Sequence, residues 1–183
     1  MRKILVVFVL VSLAALGVSG QTAQEFFDRG KVLYSSGQYA QAIDAYSQAI
    51  RLAPTAPEVW FNRGQCYYYL GQYSLAISDY TKSLSIRPDN LDALFQRGLS
   101  YNKNKQHDYA ISDYSRGLQF APNDPQFYYN RGIAYSDKGD LAMAMSDYDK
   151  AISLRPNYTK AFINRGSIYY KQKKYDEIGR AHV

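Results

Sequence analysis

His107 and Asp108 stand side by side, and an imidazole beside a carboxylate is the smallest pairing that could move protons. No cysteine and no second histidine lies near them in sequence, so the pair reads as a surface turn and not as a base or a metal ligand. Cys66 is the single cysteine, which excludes a disulfide framework and any zinc site built on several thiolates. The residues 34 positions away in either direction, and their own repeats, are Val32, Ser100, Ala134 and Ile168; Cys66 therefore reads as a small buried core residue. The charged residues that recur do so in rows at the same spacing: Arg29, Arg63, Arg97, Arg131 and Arg165, with Asp79, Asp113 and Asp147. A guanidinium row can hold anionic ligands or pair with the carboxylate row. Ion pairs such as Arg63–Asp79 and Arg97–Asp113 are the favoured reading, each worth about 0–1 kcal/mol if exposed. No catalytic constellation, metal-ligand set or cofactor motif emerges, so the chain is expected to be non-enzymatic.

The elements that carry these rows follow from the period. Pro54, Pro88, Pro122 and Pro156 are spaced by 34, and so are Gly30, Gly64, Gly98, Gly132 and Gly166. Ala42, Ala76, Ala110 and Ala144 keep the same spacing, as do Tyr46, Tyr80, Tyr114 and Tyr148. Each unit predicts two helices. In the second, Pro57 to Leu70 carries Trp60, Gly64 and Tyr67 on one stripe, and Gly71 ends it in the left-handed conformation. Tyr73 to Ile86 carries Ala76, Tyr80 and Leu84, and Pro88 stops it because proline has no amide hydrogen to give. Gly64 and Ala76 leave room for close helix approach, with Tyr67 and Tyr80 filling the space beside them.

This pattern of aromatic, small residue, aromatic, Gly-x-Tyr-x-x-Ala, aromatic, small residue and proline resembles the tetratricopeptide repeat (TPR). Trp60, Gly64, Tyr67, Gly71, Tyr73, Ala76, Tyr80, Ser83 and Pro88 carry it. Repeats are expected at 23–56, 57–90, 91–124 and 125–158, with a truncated fifth at 159–177. The resemblance implies an all-α fold: a right-handed superhelical solenoid of antiparallel helix pairs whose first helices line a concave groove. Carried onto this chain, the family's groove positions include an aromatic row of Phe27, Phe61, Phe95 and Tyr129, followed by Ile163. Beside it runs a row beginning with Asp28 and continuing as Asn62, Gln96, Asn130 and Asn164. Tyr34, Tyr68, Tyr69 and Tyr170 lie further along the same helices. Carboxamides offer one acceptor and two donors, so this row suits the backbone of an extended peptide; the alternative is a solvated polar row. The family's clamp for chaperone C-terminal carboxylates is not formed: Asn130 and Lys160 match it, whereas Phe95, Leu99 and Asn164 do not. Repeat three departs at Lys105, His107 and Gly117, and is expected to be looser, with its turn the most mobile.

At 46% hydrophobic and 21% charged residues, the chain is not disordered. Its 19 tyrosines want a structural role, which the repeat supplies. Met1-Arg2-Lys3, the uncharged run Ile4 to Leu16 and the small residues to Gly20 have the layout of a signal peptide, residues 1–20. Cleavage near Gly20 and a periplasmic or secreted location are expected; an uncleaved anchor is the alternative. Its removal takes away Arg2 and Lys3 from a net charge of +6, and the remaining charges are scattered, so nucleic acid is not an expected partner. At the other end Ile178-Gly179-Arg180-Ala181-His182-Val183 breaks the repeat pattern and resembles translated sequencing adapter; the native sequence is expected to stop near Glu177. Two functions remain open: an exported scaffold that binds a protein or extended peptide in its groove, or the recognition arm of a longer protein.

Overall fold

The computed structural model describes residues 21–181, with side chains described as far as Lys173. The expected signal peptide, residues 1–20, lies outside the described residues, as do His182 and Val183 of the expected non-native tail. Four helix pairs and a ninth helix follow in order: α1 (Ala23–Ser35) with α2 (Tyr39–Leu52), α3 (Pro57–Tyr69) with α4 (Tyr73–Ile86), α5 (Leu91–Lys103) with α6 (His107–Phe120), α7 (Pro125–Lys138) with α8 (Leu141–Leu154), then α9 (Thr159–Ala181). Each helix packs on the next, and the first helices also touch in series, α1 on α3, α3 on α5 and α5 on α7. That makes an all-helical solenoid in which the odd-numbered helices share one continuous face.

Local chemistry sets the boundaries. Thr22 accepts from the Glu25 amide while the Glu25 carboxylate accepts from the Thr22 amide, a reciprocal cap on α1. Asn90 and Asp124 cap α5 and α7, and Pro57 and Pro125 occupy first-turn positions where no amide hydrogen is needed. The turn inside each pair needs a left-handed residue. Gly37, Gly71 and Gly139 supply it at φ 75°, 73° and 97°. Lys105 does the same at φ 60° without the glycine freedom.

Inside each pair the second-helix tyrosine lies flat over the first-helix glycine. A Cβ at Gly30, Gly64, Gly98 or Gly132 would come within 2.4, 2.9, 2.6 or 2.7 Å of the ring of Tyr46, Tyr80, Tyr114 or Tyr148. These tyrosines and Ala42, Ala76, Ala110 and Ala144 are buried. The groove-row aromatics back them: Phe27 on Tyr46, Phe61 on Tyr80, Phe95 on Tyr114 and Tyr129 on Tyr148, with centroids 5.6–6.0 Å apart.

Two features differ from expectation. Gly117 is not a loosening. Phe127, buried at the start of α7, presses on it so closely that a Cβ would lie 2.2 Å from the ring. Where repeat four brings phenylalanine, repeats two, three and five bring Val59, Ala93 and Ala161, against a register of Ala49, Ser83 and Ala151. A large residue on one side is matched by the smallest on the other. The fifth repeat also has no turn at the expected place: Lys173, in register with Gly37, Gly71 and Gly139, is helical, and α9 runs on to Ala181. Among the described residues nothing lies within 4 Å of a Cβ placed at Gly166, and the sequence has His182 in register with Tyr46, Tyr80, Tyr114 and Tyr148.

Candidate peptide-binding groove

The arginine row is structural. Arg63 Nε and Nη2 donate to both oxygens of Asp79 at 2.7 and 2.8 Å, and Arg97–Asp113 and Arg131–Asp147 repeat the two-pronged geometry at 2.7–2.8 Å. The third nitrogen reaches the preceding repeat: Nη1 of Arg63, Arg97 and Arg131 donates to Ser47, Thr81 and Ser115 at 2.9–3.0 Å. Aromatic faces hold the guanidinium plane, with Trp60 and Tyr67 at 5.0 and 5.7 Å from Arg63, and Tyr128 and Tyr135 at 5.6 and 6.0 Å from Arg131. The pairs are not surface pairs: Asp79, Asp113 and Asp147 side chains are only 4–7% exposed. Burial raises the Asp79 and Asp113 carboxyls above the ordinary value, even with the guanidinium beside them. Each of the three nitrogens of Arg63, Arg97 and Arg131 is thus engaged within the chain, and the carboxylate already balances the guanidinium charge. The ends of the row differ. Arg29 is exposed and faces Ala45 in place of an aspartate, while Arg165 pairs with Asp149, which stands in register with Ser47, Thr81 and Ser115.

The carboxamide row divides in two. Asn62 and Gln96 are half-buried and their side chains make no hydrogen bond among the described residues. Asn130 Nδ2 donates to the Gln126 carbonyl at 2.8 Å, and Asn164 Nδ2 to the Tyr129 hydroxyl at 3.3 Å. Asp28, where the row starts, is exposed and held by Lys31 and Gln24, which lower its pKa. Of the aromatics, Phe27, Phe61, Phe95 and Tyr129 are half-buried wedges against the core, whereas Tyr170 is 68% exposed. Ile163 is likewise exposed.

Tyr34, Tyr68 and Tyr69 belong to a cluster larger than the sequence suggested. Tyr39 stacks on Tyr69 at 5.0 Å and 8°, Tyr34 meets both edge-on, and Tyr73 joins through Tyr68 at 5.5 Å. Tyr69 nevertheless stays 57% exposed. In repeat three the same places are polar: Asn102 replaces a tyrosine at the end of α5, and His107 replaces one at the start of α6. Asn102 Nδ2 donates to Asp137 at 2.9 Å, and the His107 Nδ1–Asn102 Oδ1 distance is 2.6 Å. These residues, with Lys103, Lys105, Leu99, Tyr114, Asn130 and Ile133, line a cleft of ≈ 590 Å³. The signal that could have located it was the joint loss of two tyrosines in one repeat.

Profiles of the TPR repeat match residues 30–71 and 98–139, and those of the tetratricopeptide repeat match 57–90 and 125–158. The chain belongs to the tetratricopeptide-repeat family. Among solved structures, the TPR array is similar to MamA (41-end) from Desulfovibrio magneticus RS-1, at 23% identity over 88% of this chain and 91% of that one, with a TM-score of 0.80. A double mutant of the RS-1 MamA aligns at 24% identity over 88% and 90%, TM-score 0.79. A further MamA crystal structure aligns at 23% identity over 75% and 81%, TM-score 0.71. At that identity the likeness speaks for the fold. No curated protein matches the chain. Among the described residues no three His, Cys, Asp or Glu side chains converge on a point that could hold a metal, and no helix is long and apolar enough to cross a membrane.

Proposed function

We propose that this TPR array is a binding scaffold that holds an extended segment of a partner protein along the face of its odd-numbered helices. The observation that carries the reading is the pair of uncommitted carboxamides. Asn62 and Gln96 sit half-buried on successive first helices, with donors and acceptors that no group among the described residues uses, and exposed Tyr69 lies two turns along α3 from Asn62. A solvent-reached amide with free donors and an acceptor can pair with a peptide backbone at no cost to the fold, and exposed rings supply contact area at low entropy cost. Residues Phe61, Phe95 and Tyr129 then form the floor, and Tyr68 and Tyr170 the flanks. The test is capture of partners by wild type and by an Asn62→Ala, Gln96→Ala, Tyr69→Ala variant. Capture is expected to fall by about thirtyfold, from two lost hydrogen bonds of about 1 kcal/mol each; unchanged capture rejects the groove.

The proposal includes export. It rests on the charged start Arg2-Lys3, the uncharged run to Leu16 and the small residues to Gly20. N-terminal sequencing of the protein recovered from periplasm or medium is expected to begin at Gln21. A protein found only in the cytosol with Met1 or Arg2 still present rejects it.

A further inference from the structure

The cleft between repeats three and four is built differently from the rest of the face, and its hydrogen bonds fix their own direction. Asp137 can only accept, so the nitrogen of Asn102 must face it and the Asn102 oxygen must face His107. The His107 Nδ1 therefore carries a hydrogen and donates. That leaves Nε2 as the one imidazole atom free to meet a ligand, as a lone pair when the ring is neutral and as a donor when it is charged. The charged groups around it are unequal. On α7, Asp137 already accepts from Asn102, and Lys138 is paired with Asp108 of α6 at 2.6 Å. On α5 and its turn, Lys103 and Lys105 are exposed and have no acidic partner among the described residues. The remaining lining, Leu99, Tyr114, Asn130 and Ile133, is uncharged. Asp137 keeps its negative charge, because Asn102 is a neutral donor, so the two ammonium groups of Lys103 and Lys105 outweigh a single carboxylate and leave the lining net positive.

From this geometry we infer that the cleft is a subsite for an acidic side chain, Asp or Glu, of the bound segment, with charged His107 Nε2–H and the Lys103 and Lys105 ammonium groups as donors. The carboxylate draws a proton from solvent onto Nε2 as it binds, so binding and protonation of His107 are coupled. Recognition of an aspartate or glutamate is then stronger with the imidazole charged, and binding tightens as pH falls. The inference rests on the groove reading for its natural ligand, but the cleft itself can be tested without it.

The experiment titrates N-acetyl-aspartate amide, and N-acetyl-asparagine amide as its neutral isostere, into the whole chain, following the His107 ring by NMR with His107→Gln as the assignment control. The aspartate probe is expected to shift the ring saturably and raise its titration midpoint, and the asparagine probe to do neither. Lys103→Gln and Lys105→Gln, both exposed and each checked for an unchanged melt, are expected to weaken binding by about two- to fivefold. Equal response to the two probes, or none, overturns the subsite. A displayed peptide library separates the two readings. Selected peptides that keep binding the Asn62, Gln96, Tyr69 variant count against the groove. Selected peptides that need the groove but show no acidic preference, or keep the same preference on His107→Gln, count against the subsite.

Discussion

Arg97 illustrates what a single side chain does in this array. Its guanidinium spans three helices: it sits on α5, grips Asp113 of α6 with two nitrogens and reaches Thr81 of α4 with the third. A buried ion pair is poor evidence of net stabilisation, because desolvation offsets most of the attraction, yet removing one partner strands the other charge. Asp113→Ala is therefore expected to cost about 3–5 kcal/mol, and the Arg97→Met, Asp113→Ala double variant much less than the sum of the singles. Chemical denaturation of the four proteins in the cycle measures this; additive losses would show that the two groups act separately. The pH dependence has a definite sign. A carboxyl raised on folding contributes stability below its unfolded pKa and loses it as pH climbs through the folded value, so mild acid does not unfold the array through Asp79 or Asp113.

The pairing of helices turns on glycines whose purposes differ, and Gly117 is the one the sequence misrepresents. Gly117→Ala is expected to destabilise by about 1–3 kcal/mol, since a methyl there meets the Phe127 ring at 2.2 Å. Phe127→Val, the residue type found in register at Val59, should recover most of the loss in the double variant; a thermal melt of each decides it. Periodicity alone places the helix pairs, because four classes of residue share one spacing and each has a packing reason: glycine under tyrosine, alanine between helices, proline at the exit. α4 starts and ends where the pattern says, at Tyr73 and Ile86. The Arg–Asp pairing was legible as well, since both rows keep the period. Interfaces between repeats were not, because Gly117 and Phe127 are ten residues apart and neither looks unusual until the helices are docked. The cleft at His107 was hidden for the same reason: Asn102 and Asp137 belong to different repeats and meet only when α5 and α7 pack in series. The turn expected to be loosest, Lys103 to His107, is flanked by two ties across that joint, Asn102 to Asp137 and Asp108 to Lys138.

For the molecule as a whole, neighbours touch only neighbours, so stability is a sum of repeat and joint terms and opening can be local. Cys66 reports on one such opening. It is fully buried in α3, and burial pushes its thiol up to about 12 from 9.0. The native thiol is accordingly neutral at pH 8, and a thiol reagent should label it only through opened states. Labelling is expected to be slow in buffer and to accelerate with denaturant along the slope of repeats one and two; rapid labelling without denaturant would show that α3 is not packed as described. The same shift has a linkage consequence: the stability Cys66 contributes is complete below its unfolded value near 9 and is lost as pH rises toward about 12.

The Phe127–Gly117 fit also gives the chain an address. Three joints are small against small, and one is large against nothing, so the modules are not interchangeable parts. Transplanting repeat four behind repeat one would drive Phe127 into the place of buried Ala49, and behind repeat two into Ser83, so only one predecessor accepts it. An array that must survive duplication and recombination of near-identical units thereby keeps its order, and with it the order of aromatic and charged stations that a bound segment would read.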